Sequence, residues 1–104
     1  MVVKKKGRTL WLRERLGPDT IEVWLVKNLK DEGLPMHGLW HEDTNTIEIN
    51  ATDSPPDQLS TLLHERIHAV SDKYGLELDE QCVRTLEKGL IQMERTSKHV
   101  KGTE

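Results

Sequence analysis

Ser54-Pro55-Pro56-Asp57 constrains the fold of this chain more than any other stretch. Proline breaks a strand ladder or a helix interior but suits the first position of a helix. Ser54 can cap the free amides of a helix start, and Asp57, three residues on, makes a variant of the capping box. From there Leu59, Leu63, Ile67, Val70 and Tyr74 recur at helical spacing, an apolar stripe expected to face the core. Ser60, His64, His68 and Asp72 fall on a neighbouring face, and Gly75 is a natural stop. A second helix is expected from near Asp79, with Leu78, Val83, Leu86, Leu90 and Met93 as its apolar positions.

Before Ser54 the period is two. Ile21, Val23 and Leu25 alternate with Glu22, Trp24 and Val26, as in a strand with one buried face. Thr9 to Leu16 and Ile21 to Val26 are joined by Gly17-Pro18-Asp19-Thr20, a good turn sequence. Leu10 to Leu16 also fits a short helix, through Trp11 with Arg15 and Leu12 with Leu16, but the strand is favoured. Asn28 to Pro35 is polar, holds Gly33 and Pro35, and reads as a loop with room for one helical turn. Gly38–His41 and Thr46–Ile49 flank Glu42-Asp43-Thr44-Asn45, the pattern of a second hairpin. Trp11, Trp24 and Trp40 are the only tryptophans in a chain without phenylalanine. Core packing is the first reading for them and a binding platform the second.

The expected helix carries His64-Glu65-Arg66-Ile67-His68. Residues four apart on a helix lie one above the other, so the two imidazoles can meet one metal ion. Glu65, beside the first of them, can take a proton from a metal-bound water. Catalytic zinc usually has three protein ligands and an open position, so a third ligand is sought. Glu80, in the first turn of the second helix, is the preferred candidate, returned to the first helix by the turn at Tyr74-Gly75-Leu76. Glu77 and Asp79 compete with it, and Glu87 lies two turns further along. Cys82 sits about 200° around a helix from Glu80, so the two cannot share a metal, and it reads as a small buried or half-buried side chain.

Length and charge limit the alternatives. At 104 residues the chain supports one domain with a modest core. The net charge of −3 gives no overall nucleic-acid footprint. Lys4-Lys5-Lys6-Gly7-Arg8 is the local exception and reads as a solvated tail spanning residues 1–8, with a second polar tail from Lys98 to Glu104. A single cysteine excludes an intramolecular disulfide. The residues after Met1 are too polar for a secretory signal and no apolar run reaches membrane length, so a cytoplasmic protein is expected.

Thr61 to Val70, followed by Tyr74-Gly75-Leu76 and Asp79-Glu80, resembles the small HExxH proteins encoded by bacteriophages and prophages. More broadly it is similar to minimal gluzincin-type metallopeptidases, with the ImmA/IrrE and SprT-like groups as distant relatives. The resemblance is specific from about Gly38 to Leu90 and weak before Ile21. It implies an α+β, zincin-like fold: a small antiparallel or mixed sheet packed on the HExxH helix, with a glutamate-bearing helix behind. It further implies a zinc-dependent peptidase of a bacterial or phage-infected cell, with His64, His68 and Glu80 as zinc ligands and Glu65 as the base. The chain departs from the family pattern at Arg66, where an aliphatic residue is usual, and at Gln81, where a second acid is common. Arg66 is expected to point away from the metal face. Larger gluzincins add a substrate-binding domain, for which 104 residues leave no room. His37, His41 and Tyr74 are candidates by type for a second electrophile. A protein or peptide substrate is expected to add as a strand near Trp40 or Ile47. The alternative class is a metal-binding interaction or regulatory module with little or no catalysis. A third is a small structural protein whose HERIH binds no metal.

Overall fold

The computed structural model describes residues 4–5 and 7–98. Most of the expected C-terminal tail, residues 99–104, and residues 1–3 and Lys6 of the N-terminal one lie outside the described residues. Nine elements follow in order: β1 (Lys4–Lys5), β2 (Arg8–Leu16), β3 (Asp19–Val26), β4 (Lys30–Asp31), β5 (Leu34–Pro35), β6 (Gly38–His41), β7 (Thr46–Asn50), α1 (Pro55–Tyr74) and α2 (Glu80–Thr96). Five strands form one mixed sheet in the order β1-β2-β3-β7-β6. Among the described residues only β3 and β7 run parallel, with Val23 opposite Ile47 and Leu25 opposite Ile49. The fold is therefore α+β, and part of the basic segment expected as a tail, Lys4–Lys5, pairs with β2 as an edge strand.

Alternation decides which face of the sheet is dry. Ile21, Val23, Ile47 and Ile49 point to one side, where Leu62 of α1 completes a buried cluster. Trp11 and Leu12 are neighbours in sequence, yet both pack against this cluster. The β2–β3 register slips between Leu10 and Leu12, and the extra residue of that bulge breaks the alternation. This is why the segment also fits a helical period. The three tryptophans all pack: Trp24 is buried, and Trp11 and Trp40 lie partly buried against the core.

Two expectations are corrected. Asn28 to Pro35 is not a plain loop, because β4 and β5 pair as a two-stranded hairpin. Its turn, Glu32-Gly33, has positive φ at both residues (51° and 80°), the conformation that two-residue hairpins demand. The second correction concerns the α1 stripe. The buried positions of α1 are Leu62, Glu65, Ala69 and Ser71, whereas Leu59, Val70 and Tyr74 are exposed. The helix is rotated so that Glu65, with Leu62 and Ala69, faces inward. On α2 only Val83 is buried, and Leu86, Leu90 and Met93 remain exposed.

Both ends of α1 are built as the sequence implies. The Ser54 hydroxyl accepts the Asp57 amide at 3.4 Å, with prolines in the first turn. Gly75 closes the helix in the left-handed region (φ 64°), and the Leu76 amide returns to the Ser71 carbonyl at 2.9 Å.

Candidate metal centre

α1 packs against β6 and β7 on one side and α2 on another. Its His64 and His68 therefore open toward the gap between sheet edge and second helix, with ring centroids 5.0 Å apart. What points α2 at them is its own cap. The Asp79 carboxylate accepts the Cys82 amide at 2.8 Å, so the helix starts at Glu80. The Leu78 amide donates to the buried Ser71 hydroxyl at 3.0 Å, pinning the linker to α1. Glu80 then reaches both imidazoles with one carboxylate: Oε1 lies 2.8 Å from His64 Nε2 and Oε2 3.1 Å from His68 Nε2.

The four acidic candidates are thereby separated. Asp79 serves the cap, and the Cys82 amide holds its carboxyl below the usual range. Glu77 stands exposed in the linker at φ 53°. Glu87 approaches the other side of the first imidazole, its Oε1 2.8 Å from His64 Nδ1. Among the described residues, His64, His68 and Glu80 form the one group whose ligand atoms converge, all within 4.8 Å of one another.

This donor set fits a small divalent cation. With metal–ligand bonds of about 2.0–2.1 Å, two ligands of a tetrahedral ion lie about 3.3 Å apart. The carboxylate–imidazole separations of 2.8 and 3.1 Å open by a few tenths of an ångström, and the widest pair of the set, at up to 4.8 Å, closes by about 1.5 Å. Glu87 holds the ring from its far side: a proton on Nδ1 donated to its carboxylate would leave the Nε2 lone pair for a metal, in place of the present contact with Glu80. Cys82 takes no part. It is exposed rather than half-buried, and the hydrogen bond with Asp79, aided by that residue's charge, pushes its thiol pKa up.

Glu65 lies in the floor. It is 8% exposed, and burial raises its pKa above the ordinary carboxyl value of 4.5, against the opposing pull of His64 and His68. The wall above it is β6 at Gly38, which packs so closely that a Cβ there would stand 2.4 Å from Thr61 Cγ2 and 3.2 Å from Glu65 Oε2. Asn50 holds the rim ahead of Gly38: its side-chain amide donates to the Met36 carbonyl at 3.0 Å and its backbone amide to the His37 carbonyl at 2.8 Å. The result is a cleft of about 390 Å³ between Met36–Gly38, His64–Glu65 and the first turns of α2.

Of the three candidates for a second electrophile, only His37 lines this cleft. His41 is held by Glu48 at 2.6 Å, at strand positions that alternate with the core residues Ile47 and Ile49. The Tyr74 hydroxyl lies near Gly17, in the β2–β3 turn. Arg84 lines the cleft as well, and sequence reasoning passed over it. Its signal was its place four residues after Glu80, on the same face of α2. Arg66 points away from the imidazoles and grips Glu14 of β2 through two hydrogen bonds, at 2.7 and 2.5 Å.

Residues 18–93 match the family model described as the IrrE N-terminal-like domain, peptidase family M78. The chain belongs to this family. The matched region of the M78 domain runs from the β2–β3 turn into the last turns of α2, so it holds the whole cleft. It extends further toward the N-terminus than the resemblance first noted from Gly38 onward. No curated protein and no solved structure matches the chain significantly. Among the described residues, no helix of this M78 domain is long and apolar enough to cross a membrane.

Proposed function

We propose that this M78 domain is a zinc-dependent peptidase with a zincin-like arrangement, in which His64, His68 and Glu80 hold the metal and Glu65 is the general base. The observation that carries the proposal is the single Glu80 carboxylate shared between both Nε2 atoms, with Glu65 buried beside them. Three ligands of this kind leave a fourth position for water, the pattern of catalytic rather than structural zinc. When bound, zinc supplies a Lewis acid that lowers the pKa of water and polarises a substrate carbonyl.

The protein's own groups do the rest. Glu87 orients His64 from the Nδ1 side and so aims Nε2 at the proposed metal position. Glu65, held between Gly38 and the histidines, accepts the proton of the water that attacks the scissile carbonyl. It returns that proton to the amide nitrogen as the C–N bond breaks. Among the described residues β6 ends the sheet with one edge unpaired, and that edge borders the histidines through Leu39 and Trp40. A substrate peptide adds there as a further strand.

Glu65→Gln tests the proposal, because it removes the base and keeps the shape. The expected result is full zinc content with cleavage of a peptide library lowered by at least about a hundredfold. Retained cleavage would contradict the assignment of Glu65. A protein that binds zinc, cleaves nothing and is biologically unchanged by Glu65→Gln is instead a metal-binding interaction module.

A further inference from the structure

The cleft does not end at the histidines. Through Ser60, His64, Arg84 and Glu87 it continues into a second hollow of about 740 Å³, bounded by the outer turns of α2. On the other side it opens through Gly38 and Glu65 to the β6 edge. One trough thus passes from Trp40, across the metal ligands, to the last turn of α2.

Its α2 wall is cationic. Arg84, Lys88 and Arg95 all line the trough and fall within about 40° of one another around the helix. All three are exposed. Arg84 has one ionic contact, a long one of 3.5 Å to Glu80 Oε1. Among the described residues, Lys88 and Arg95 have no ion pair. The acidic residues of α2 offset this strip only at its inner end, where Glu80 meets Arg84 and Glu87 lines the same hollow, while Glu94 lines a different one, so Lys88 and Arg95 carry the unpaired charge. In a chain of net charge −3, such a strip beside the metal site is a local reversal of sign.

We propose that this strip selects acidic peptide segments, so that the substrate carries Asp or Glu on the side of the scissile bond that lies along α2. The spacing fits an extended chain. Arg84 and Lys88 are about 6 Å apart along the helix axis, and Arg84 and Arg95 about 16 Å. At about 3.3 Å per residue, those intervals match acidic side chains about two residues apart and, for Arg95, about four or six apart, even offsets that keep them on one face of the peptide. Arg84, nearest the ligands, receives the first of them; Lys88 and Arg95 receive the later ones. The direction of substrate along the trough rests on the peptidase reading, whereas the charge preference does not.

The test uses zinc-loaded protein and a proteome-derived peptide library, with cleavage sites mapped by mass spectrometry. Wild type is expected to cut sites enriched in Asp and Glu within about six residues on one side only. In Lys88→Glu/Arg95→Glu that enrichment disappears, and kcat/KM for an acidic reporter peptide falls roughly tenfold or more. Unbiased sites, or an enrichment that survives the double reversal, overturn the inference. If wild type cuts nothing, the peptidase reading fails and the strip is judged by binding alone. Zinc-loaded Glu65→Gln is then titrated with fluorescent acidic and basic decapeptides and a single-stranded oligonucleotide. Binding of the acidic peptide about tenfold tighter than both others, lost on charge reversal, upholds the inference. Equal peptide affinities, or preference for the oligonucleotide, overturns it.

Discussion

Gly38 is a glycine for want of space, not for an unusual backbone angle. A methyl group there would press on Thr61 Cγ2 at 2.4 Å and on Glu65 Cγ at 3.1 Å, so β6 would have to leave α1. Gly38→Ala is expected to cost about 1–3 kcal/mol, as overpacking does. Thermal unfolding of Gly38→Ala with and without Thr61→Ser checks the cause. Removing Cγ2 should restore part of the loss, and full additivity of the two changes would show that the contact is not responsible. Glu65 makes a second prediction, for metal-free protein. Because its pKa is raised in the folded state, the folded protein binds this proton more tightly than the unfolded chain does. The stability it contributes is therefore complete below about pH 4.5 and is lost as pH rises through the folded value. Glu65→Gln should melt above wild type at neutral pH, with a difference that shrinks toward zero on acidification. A difference independent of pH would contradict this. HERIH was legible at this scale because its chemistry is local. Gly38 was not, since its reason lies on an element that follows it by more than twenty residues.

At the scale of elements, capping was the readable part. Ser54, Gly75 and Asp79 each serve a backbone group within a few residues, so the sequence around each contains the whole interaction. The face that α1 buries was not readable in the same way. Leu59, Leu63, Ile67, Val70 and Tyr74 form the more apolar stripe, yet the face carrying Leu62, Glu65 and Ala69 meets the sheet. Hydrophobicity alone penalises a face with a glutamate on it, yet Glu65 is buried there. The β4–β5 hairpin was missed because Glu32 supplies positive φ where Asn or Asp is the usual sign. Gly75 links the helices and gives the prediction at this scale. A Cβ at Gly75 meets nothing within 4 Å, so Gly75→Ala pays only for the left-handed backbone at φ 64°. That is about 1–2 kcal/mol, or a fall of several degrees in Tm followed by circular dichroism. An unchanged Tm would mean that the turn relaxes freely and does not set the reach of Glu80.

For the molecule as a whole, the mixed sheet and two helices were within reach of pattern and turn chemistry, while the parallel β3–β7 pairing was not, because no local signal specifies a long-range crossover. The third ligand stood between these extremes. Glu77, Asp79, Glu80 and Glu87 were all acidic and near; the exposed linker position of Glu77, the cap at Asp79 and the pairing of Glu87 with His64 Nδ1 separate them. Since α2 buries only Val83, the polar bridge from Glu80 to both histidines is a tie between the helices, and the proposed metal would hold them together there. The measurement closest to this account is the zinc content per chain of purified protein, stripped with chelator, reloaded and desalted. One zinc is predicted for wild type and for Glu65→Gln, and loss of it in His64→Ala, His68→Ala and Glu80→Ala. Wild type without stoichiometric zinc, or full zinc retained in His64→Ala and Glu80→Ala, would contradict it.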